Sequence, residues 1–159
     1  MSDIAVLGLG NELFTDEGVG IVAARELASF EIPGIEVIDG GTLGLSLLPS
    51  IEGRAGLLVL DSVMVEGGEP GDVVVYGGEE LRREARLLYS AHQLGVNEVL
   101  AAADFMGRSP GKLAAVGMVP SSLETGYGLS DVATGSLPAM IETAMEVLAS
   151  WGVRVGVDA

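Results

Sequence analysis

Hydrophobic positions along this chain follow two alternating patterns: short unbroken aliphatic runs, and longer stretches where apolar residues recur every three or four positions. Residues 4–9 are the first run and read as a buried strand, stopped by Gly8, Gly10 and Asn11. Val19, Val22, Ala23 and Leu27 then share one helical face, with Thr15 or Asp16 as the expected N-cap, and Pro33-Gly34 ends that helix. A second strand spans 35–38 and closes on Asp39-Gly40-Gly41, after which 42–51 is weakly helical. The run 55–60 ends abruptly at Asp61, the shape of a central strand buried on both faces. Beyond a loop through Gly67-Gly68 and Pro70-Gly71, residues 72–76 form a further strand, and 79–86 a charged, exposed turn or short helix. Val96, Val99, Leu100 and Ala103 mark the next helix, after Ser90-Ala91-His92. A last strand at 113–119 is cut by Pro120, and the loop 121–131 has a length that tends to be functional. The closing helix carries the cleanest stripe: Leu137, Met140, Ile141, Ala144, Val147, Leu148 and Trp151. Ser130 and Ser136 both suit its cap, because Pro138 fits only near a beginning or a kink.

Strands interleaved with helices predict an α/β three-layer sandwich: a mostly parallel or mixed, five-stranded twisted sheet covered by helices on both faces. No repeat and no internal boundary interrupts the pattern, so residues 1–159 are expected to form one domain. Ligands of such sheets sit beyond the carboxyl ends of the strands.

Composition sharpens this picture in three respects. Apolar residues make up 48% and aromatics 4%, so the core is aliphatic, and 24 dispersed glycines suit tight strand-to-helix turns. Eight basic against 23 acidic side chains give a net charge of −15, which argues against nucleic acid and against anionic membranes as partners. With no cysteine, disulfides, thiolate metal sites and a cysteine nucleophile are excluded. The first residues lack a basic flank and no apolar run nears the roughly 18 residues of a membrane span, so a soluble cytoplasmic protein is expected.

Candidate chemistry gathers at the predicted strand ends. Asp16 and Glu17 follow the first strand, Asp39 ends the second and Asp61 the third. At a helix N-terminus the macrodipole already favours an ionised Glu17, and Asp61 could simply initiate a turn by accepting from the amide of Ser62 or Val63. Yet a carboxylate interrupting an aliphatic strand loses hydration and needs a donor, a cation or water. His92 is the sole histidine and opens a helix. With Glu17 and Asp61 it would complete an O,O,N set suited to zinc or nickel, leaving open positions for a reaction. Competing chemistries fit less well. There is no Gly-x-Ser-x-Gly elbow and no phosphate-loop lysine. A dinucleotide reading of Gly8-Leu9-Gly10 lacks its third glycine, where Leu13 stands, and sets Asp16 and Glu17 against the pyrophosphate.

These residues carry a resemblance. Gly8-Leu9-Gly10-Asn11 with Thr15-Asp16-Glu17, Asp39-Gly40-Gly41-Thr42, Leu60-Asp61-Ser62 before Pro70-Gly71, and Ser90-Ala91-His92-Gln93-Leu94-Gly95 follow in that order. Gly117-Met118-Val119-Pro120, Ser122-Leu123-Glu124 and Gly128-Leu129-Ser130 continue the series. From Ile4 to about Trp151 the chain resembles the [NiFe]-hydrogenase maturation endopeptidases, although many relatives carry Asp at the position of Glu17 and a small residue such as Ala at that of Ser62. The resemblance implies a protease that trims the C-terminal extension of a hydrogenase large-subunit precursor already loaded with nickel. Glu17, Asp61 and His92 would then be the ligands that read the precursor's nickel. It further implies no organic cofactor, a monomer in transient complex with that precursor, and a cleft shaped by Asp16, Asp39, Gly40, Gly41 and the loop after Ser121.

Overall fold

A computed structural model of the chain describes residues 3–41, 44–84 and 96–155. Five strands form one mixed sheet in the order β2-β1-β3-β5-β4: β1 (Ile4–Leu9), β2 (Ile35–Gly41), β3 (Gly56–Ser62), β4 (Val73–Gly77) and β5 (Lys112–Met118). The first three and β5 run parallel, whereas the edge strand β4 pairs antiparallel with β5. All seven residues of β3 are buried, as its unbroken aliphatic run requires of the middle strand.

Alternation along the strands feeds two cores. Leu57 and Val59 belong to the core on one face, with Leu47, Ile51, Leu81, Val99 and Leu100. The last four of these place α2 (Leu48–Ile51), α3 (Gly78–Glu84) and α4 (Val96–Phe105) on that side. Leu58 and Leu60 face the other way, toward α1 (Val19–Ala28) and α5 (Asp131–Ser150). The sheet is therefore covered on both faces, as expected.

Local details depart from the sequence pattern where tertiary contacts outweigh propensity. The segment 78–84 is helical but not wholly exposed, since Leu81 is completely buried against the core. Helix α5 starts at Asp131: Ser130 accepts the Ala133 amide at 3.2 Å, so Ser130 and not Ser136 is the cap, and Pro138 lies inside the helix. Helix α1 has Gly18 as its N-cap with no side-chain bond, preceded by a 3-10 turn at Thr15–Gly18. Neither Thr15 nor Asp16 caps it.

Asp16 is occupied elsewhere. Fully buried, its carboxylate accepts from the amides of Ser121 (2.8 Å), Ser122 (3.2 Å) and Ser130 (2.8 Å), and from Ser130 Oγ (2.7 Å). Its own amide donates to Ser122 O at 3.1 Å. One carboxylate thus closes the loop after β5 onto the exit of β1, a charge-assisted set of bonds that offsets its desolvation. Gly20 fixes the second element of the same corner. A Cβ there would stand 2.2 Å from Leu60 O and 2.4 Å from Leu9 O, so α1 rests with its backbone on the ends of β3 and β1.

Two substitutions test this corner by chemical denaturation. Asp16→Asn turns acceptor capacity into donors facing donors, and is expected to cost roughly 2–3 kcal/mol of unfolding free energy. It should also expose the 121–130 loop to proteolysis. Gly20→Ala is expected to cost about 1–3 kcal/mol, despite alanine's better helix propensity, because the clash is with backbone. A stability equal to wild type in either variant would contradict the assigned contact.

Candidate active site at the strand ends

β1 is followed by α1 on one face, while the chain leaving β3 returns through β4 to helices on the other. The carboxyl ends of these adjacent strands therefore flank a crevice of the kind where open α/β sheets bind ligands. Asp61 is the penultimate residue of β3 and has no exposed surface. It continues the row of Leu57 and Val59, so its side chain leaves the sheet on the face of α4, while Ser62 takes the face of α1. One Asp61 oxygen accepts the Ser62 amide at 2.8 Å, the turn-type bond that its position suggests. Ser62 Oγ is buried and has no hydrogen-bond partner among the described residues.

Glu17 follows the adjacent strand, β1. It lies in the 3-10 turn before α1, half-buried, and that turn packs on β3. Its backbone is seated on the end of β1: a Cβ on Gly10 (φ +137°) would fall 2.0 Å from Glu17 O. Thr15, two residues earlier, has φ +52°, a costly conformation for a β-branched residue. Three contacts hold it: its amide on Gly126 O (2.9 Å), its Oγ1 on Glu124 O (2.6 Å), and the bonds of neighbouring Asp16. Strain at this point is tolerated because the surrounding loops overdetermine it. Among the described residues no three His, Cys, Asp and Glu groups cluster, and His92 lies outside those residues.

Asp39, Gly40 and Gly41 end β2, and the three differ in what they can offer a ligand. The β1–β2 register passes from Gly8↔Asp39 to Leu9↔Gly41, so Gly40 is an extra residue in a bulge. Gly40 faces inward, where a Cβ would meet Leu7, Leu9 and Leu47 side chains at 2.7–3.1 Å. Gly41 has φ +50° and open space around it. The Asp39 side chain is 63% exposed and lines a cleft of about 340 Å3 with Asn11, Glu12, Leu13, Gly41 and Tyr127. Asp16, by contrast, is unavailable to a substrate: it is shielded from solvent and its oxygens are already engaged. This overturns its assignment to substrate binding.

The sequence pattern left one arrangement unread. Arg25 on α1 grips Glu12 with both nitrogens (3.0 and 3.3 Å) and lies 3.8 Å from Asp39. The Glu12 hydrogen bond, then its charge, raises the Arg25 pKa further above its ordinary value. A spacing of thirteen residues, from the loop after β1 into α1, gives no periodic signal. Only the fold pairs them.

A family model described as hydrogenase maturation protease matches residues 21–147. The hydrogenase expression/formation protein HupD of Rhizobium leguminosarum bv. viciae is 41% identical over 156 residues, covering 96% of this chain and 77% of that one. The hydrogenase 2 maturation protease of Escherichia coli K12 is 39% identical over 158 residues, covering 98% and 94%. The solved hydrogenase maturating endopeptidase HybD from E. coli superposes with a TM-score of 0.88 at 34% identity, covering 97% and 96%. A [NiFe] hydrogenase maturation protease HybD from Thermococcus kodakarensis gives 0.73 at 26%, covering 92% and 99%. Because the family model spans most of the chain and these relatives align nearly end to end with it, this chain belongs to the hydrogenase maturation protease family.

Proposed function

We propose that this protein removes the C-terminal extension of a [NiFe]-hydrogenase large-subunit precursor, with Glu17, Asp61 and His92 reading the nickel that the precursor carries. The observation that carries the reading is Asp61: a wholly buried carboxylate at the carboxyl end of the central strand, with the Glu17 turn packed across it. A carboxylate held at the strand end, with one oxygen on the Ser62 amide, is chemically suited to take a cation as a further partner. Membership of a family of peptide-bond hydrolases supplies the reaction class.

Two carboxylates and one imidazole suit a borderline ion such as nickel. Nickel is here part of the substrate, held by the precursor's own thiolates, and the enzyme needs neither a resident metal nor an organic cofactor. When bound, the ion polarises the scissile carbonyl or activates water. Hydrolysis then adds water oxygen to the carbonyl carbon, breaks the C–N bond and passes a proton to the departing amine. If the nickel only positions the peptide, Asp39 or Asp61 is the general base. Asp16 is not, given its saturated oxygens. Asp39 and Gly41 line the cleft proposed to take the extension.

The dinucleotide reading loses ground at the corner. The end of α1 where a pyrophosphate would lie is taken by the protein's own loop 121–130, bonded to Asp16, and the Glu17 amide already donates to Phe14 O at 3.1 Å. No helix among the described residues is long and apolar enough to cross a membrane. A single cytoplasmic domain acting as a monomer in transient complex completes the proposal.

Incubating the purified protein with its precursor, with and without nickel, and weighing the product tests this directly. Shortening is expected only with nickel. Glu17→Gln, Asp61→Asn and His92→Ala are each expected to slow trimming by at least about 100-fold, the loss that even an outer-sphere partner of a metal ligand can cause. Ser62→Ala, which removes a buried hydroxyl with no partner among the described residues, should cut at the wild-type rate and be up to about 1 kcal/mol more stable. Wild-type trimming by Asp61→Asn would sink the site. A precursor that is bound but never shortened would make the protein a binding module.

A further inference from the structure

The loops that pin Asp16 also hold apolar side chains out into solvent. Leu13 is 62% exposed, Tyr127 76% and Phe14 38%. They stand on two segments stitched together at Phe14 and Gly126 by a β-bridge, with Gly126 N on Leu13 O at 2.8 Å and Thr15 N on Gly126 O at 2.9 Å. Leu13 and Tyr127 rim one cleft, the cleft that Asp39 and Gly41 line from the other side. An isolated exposed leucine needs no explanation, but a tyrosine and a leucine sharing one rim, with a phenylalanine beside them on an immobilised loop, form a patch. Ordering that patch has already been met by folding, so a partner would not have to supply it.

Charge identifies the kind of partner. Glu12 and Asp39 line the cleft with Leu13 and Tyr127, the Glu124 carbonyl accepts from Thr15 Oγ1 next to Phe14, and Asp131 follows Ser130, which is bonded to Asp16. Arg25, beside this cleft, is already engaged by Glu12 and near Asp39. The chain as a whole carries −15. An apolar centre within an acidic rim calls for an apolar surface bordered by lysine and arginine.

We infer that Leu13, Phe14 and Tyr127 form the docking surface for the folded body of the large-subunit precursor, whose contact area is apolar with a basic border. This rests on the proposed function for the partner's identity. Its position follows from the structure: the side chains stand at the mouth of the cleft, so they meet the surface that surrounds the inserted extension. Binding of the body and reading of the metal are then separate tasks of one corner.

The test uses the intact protein and the nickel-loaded precursor. The double variant Leu13→Ser/Tyr127→Ala is expected to melt as wild type, to raise Kd and KM for the precursor at least tenfold, and to leave kcat unchanged. The wild-type Kd should weaken with added salt. Phe105→Ser is the control: it is 93% exposed but ends α4, where the chain turns toward the amino end of β5, away from the cleft. It should change nothing. An unaltered Kd and KM in the double variant overturns the docking surface while leaving the peptidase reading intact. So does a wild-type dimer that the double variant disperses without altered precursor binding, since the patch would then join two copies of this chain. If wild type binds but never shortens the precursor, and the double variant binds it tenfold more weakly, docking stands and the peptidase reading falls. If wild type does not bind the precursor at all, both fall.

Discussion

The site depends on one buried carboxylate that performs no chemistry. Asp16 takes three backbone amides and a hydroxyl from a loop more than a hundred residues away, and so joins the exit of β1 to the entry of α5. That junction joins the two direct bonds of Thr15, to Gly126 O and Glu124 O, in holding its positive φ and in seating the turn that carries Glu17 over β3. Neighbouring acids in the sequence thus have opposite duties. Asp16 is spent inward on order, while Glu17, half-buried in the same turn, is the one proposed to meet the nickel.

Backbone contact supplies the other half of the geometry. Where most helices meet a sheet through side chains, α1 meets β1 and β3 through Gly20, at a distance no Cβ permits. The approach brings the first turn of the helix down to the level of the strand ends. A layer of ordinary side chains would hold it several ångströms higher. The same economy of bulk appears at Gly10, which yields room to the Glu17 carbonyl. Glycine at these points is a requirement of distance, and mutational tolerance should be read accordingly.

Much of this was legible beforehand, for physical reasons that can be named. The strands β1, β3 and β5 are unbroken aliphatic runs, and a strand buried on both faces has no other way to look. Asp61 stood out because a charge ends such a run. The amide bond from Ser62 was equally foreseeable, as a property of the local chain. What stayed hidden was long-range. Nothing near Asp16 announces that its acceptors face Ser121, Ser122 and Ser130, so the local sequence suggests only a helix cap or a substrate contact. The cap of α5 was ambiguous for the same reason, since Ser130 serves the helix and Asp16 at once. Arg25 and Glu12 likewise meet only because α1 folds back along its own strand.

The strand order has a kinetic consequence. With β1 and β3 in the middle and β2, β5 and β4 outside them, every parallel pairing waits on a crossover, and even the antiparallel β4–β5 pair is separated by α3 and α4. Loop closure must precede reward, so this topology belongs among slow folders, with aliphatic strand edges unpaired for part of the time. Mutual repulsion between chains that each carry fifteen excess negative charges keeps such half-built sheets from zipping to one another. The acidity that frames the docking patch in the finished molecule would then already be at work on the nascent one.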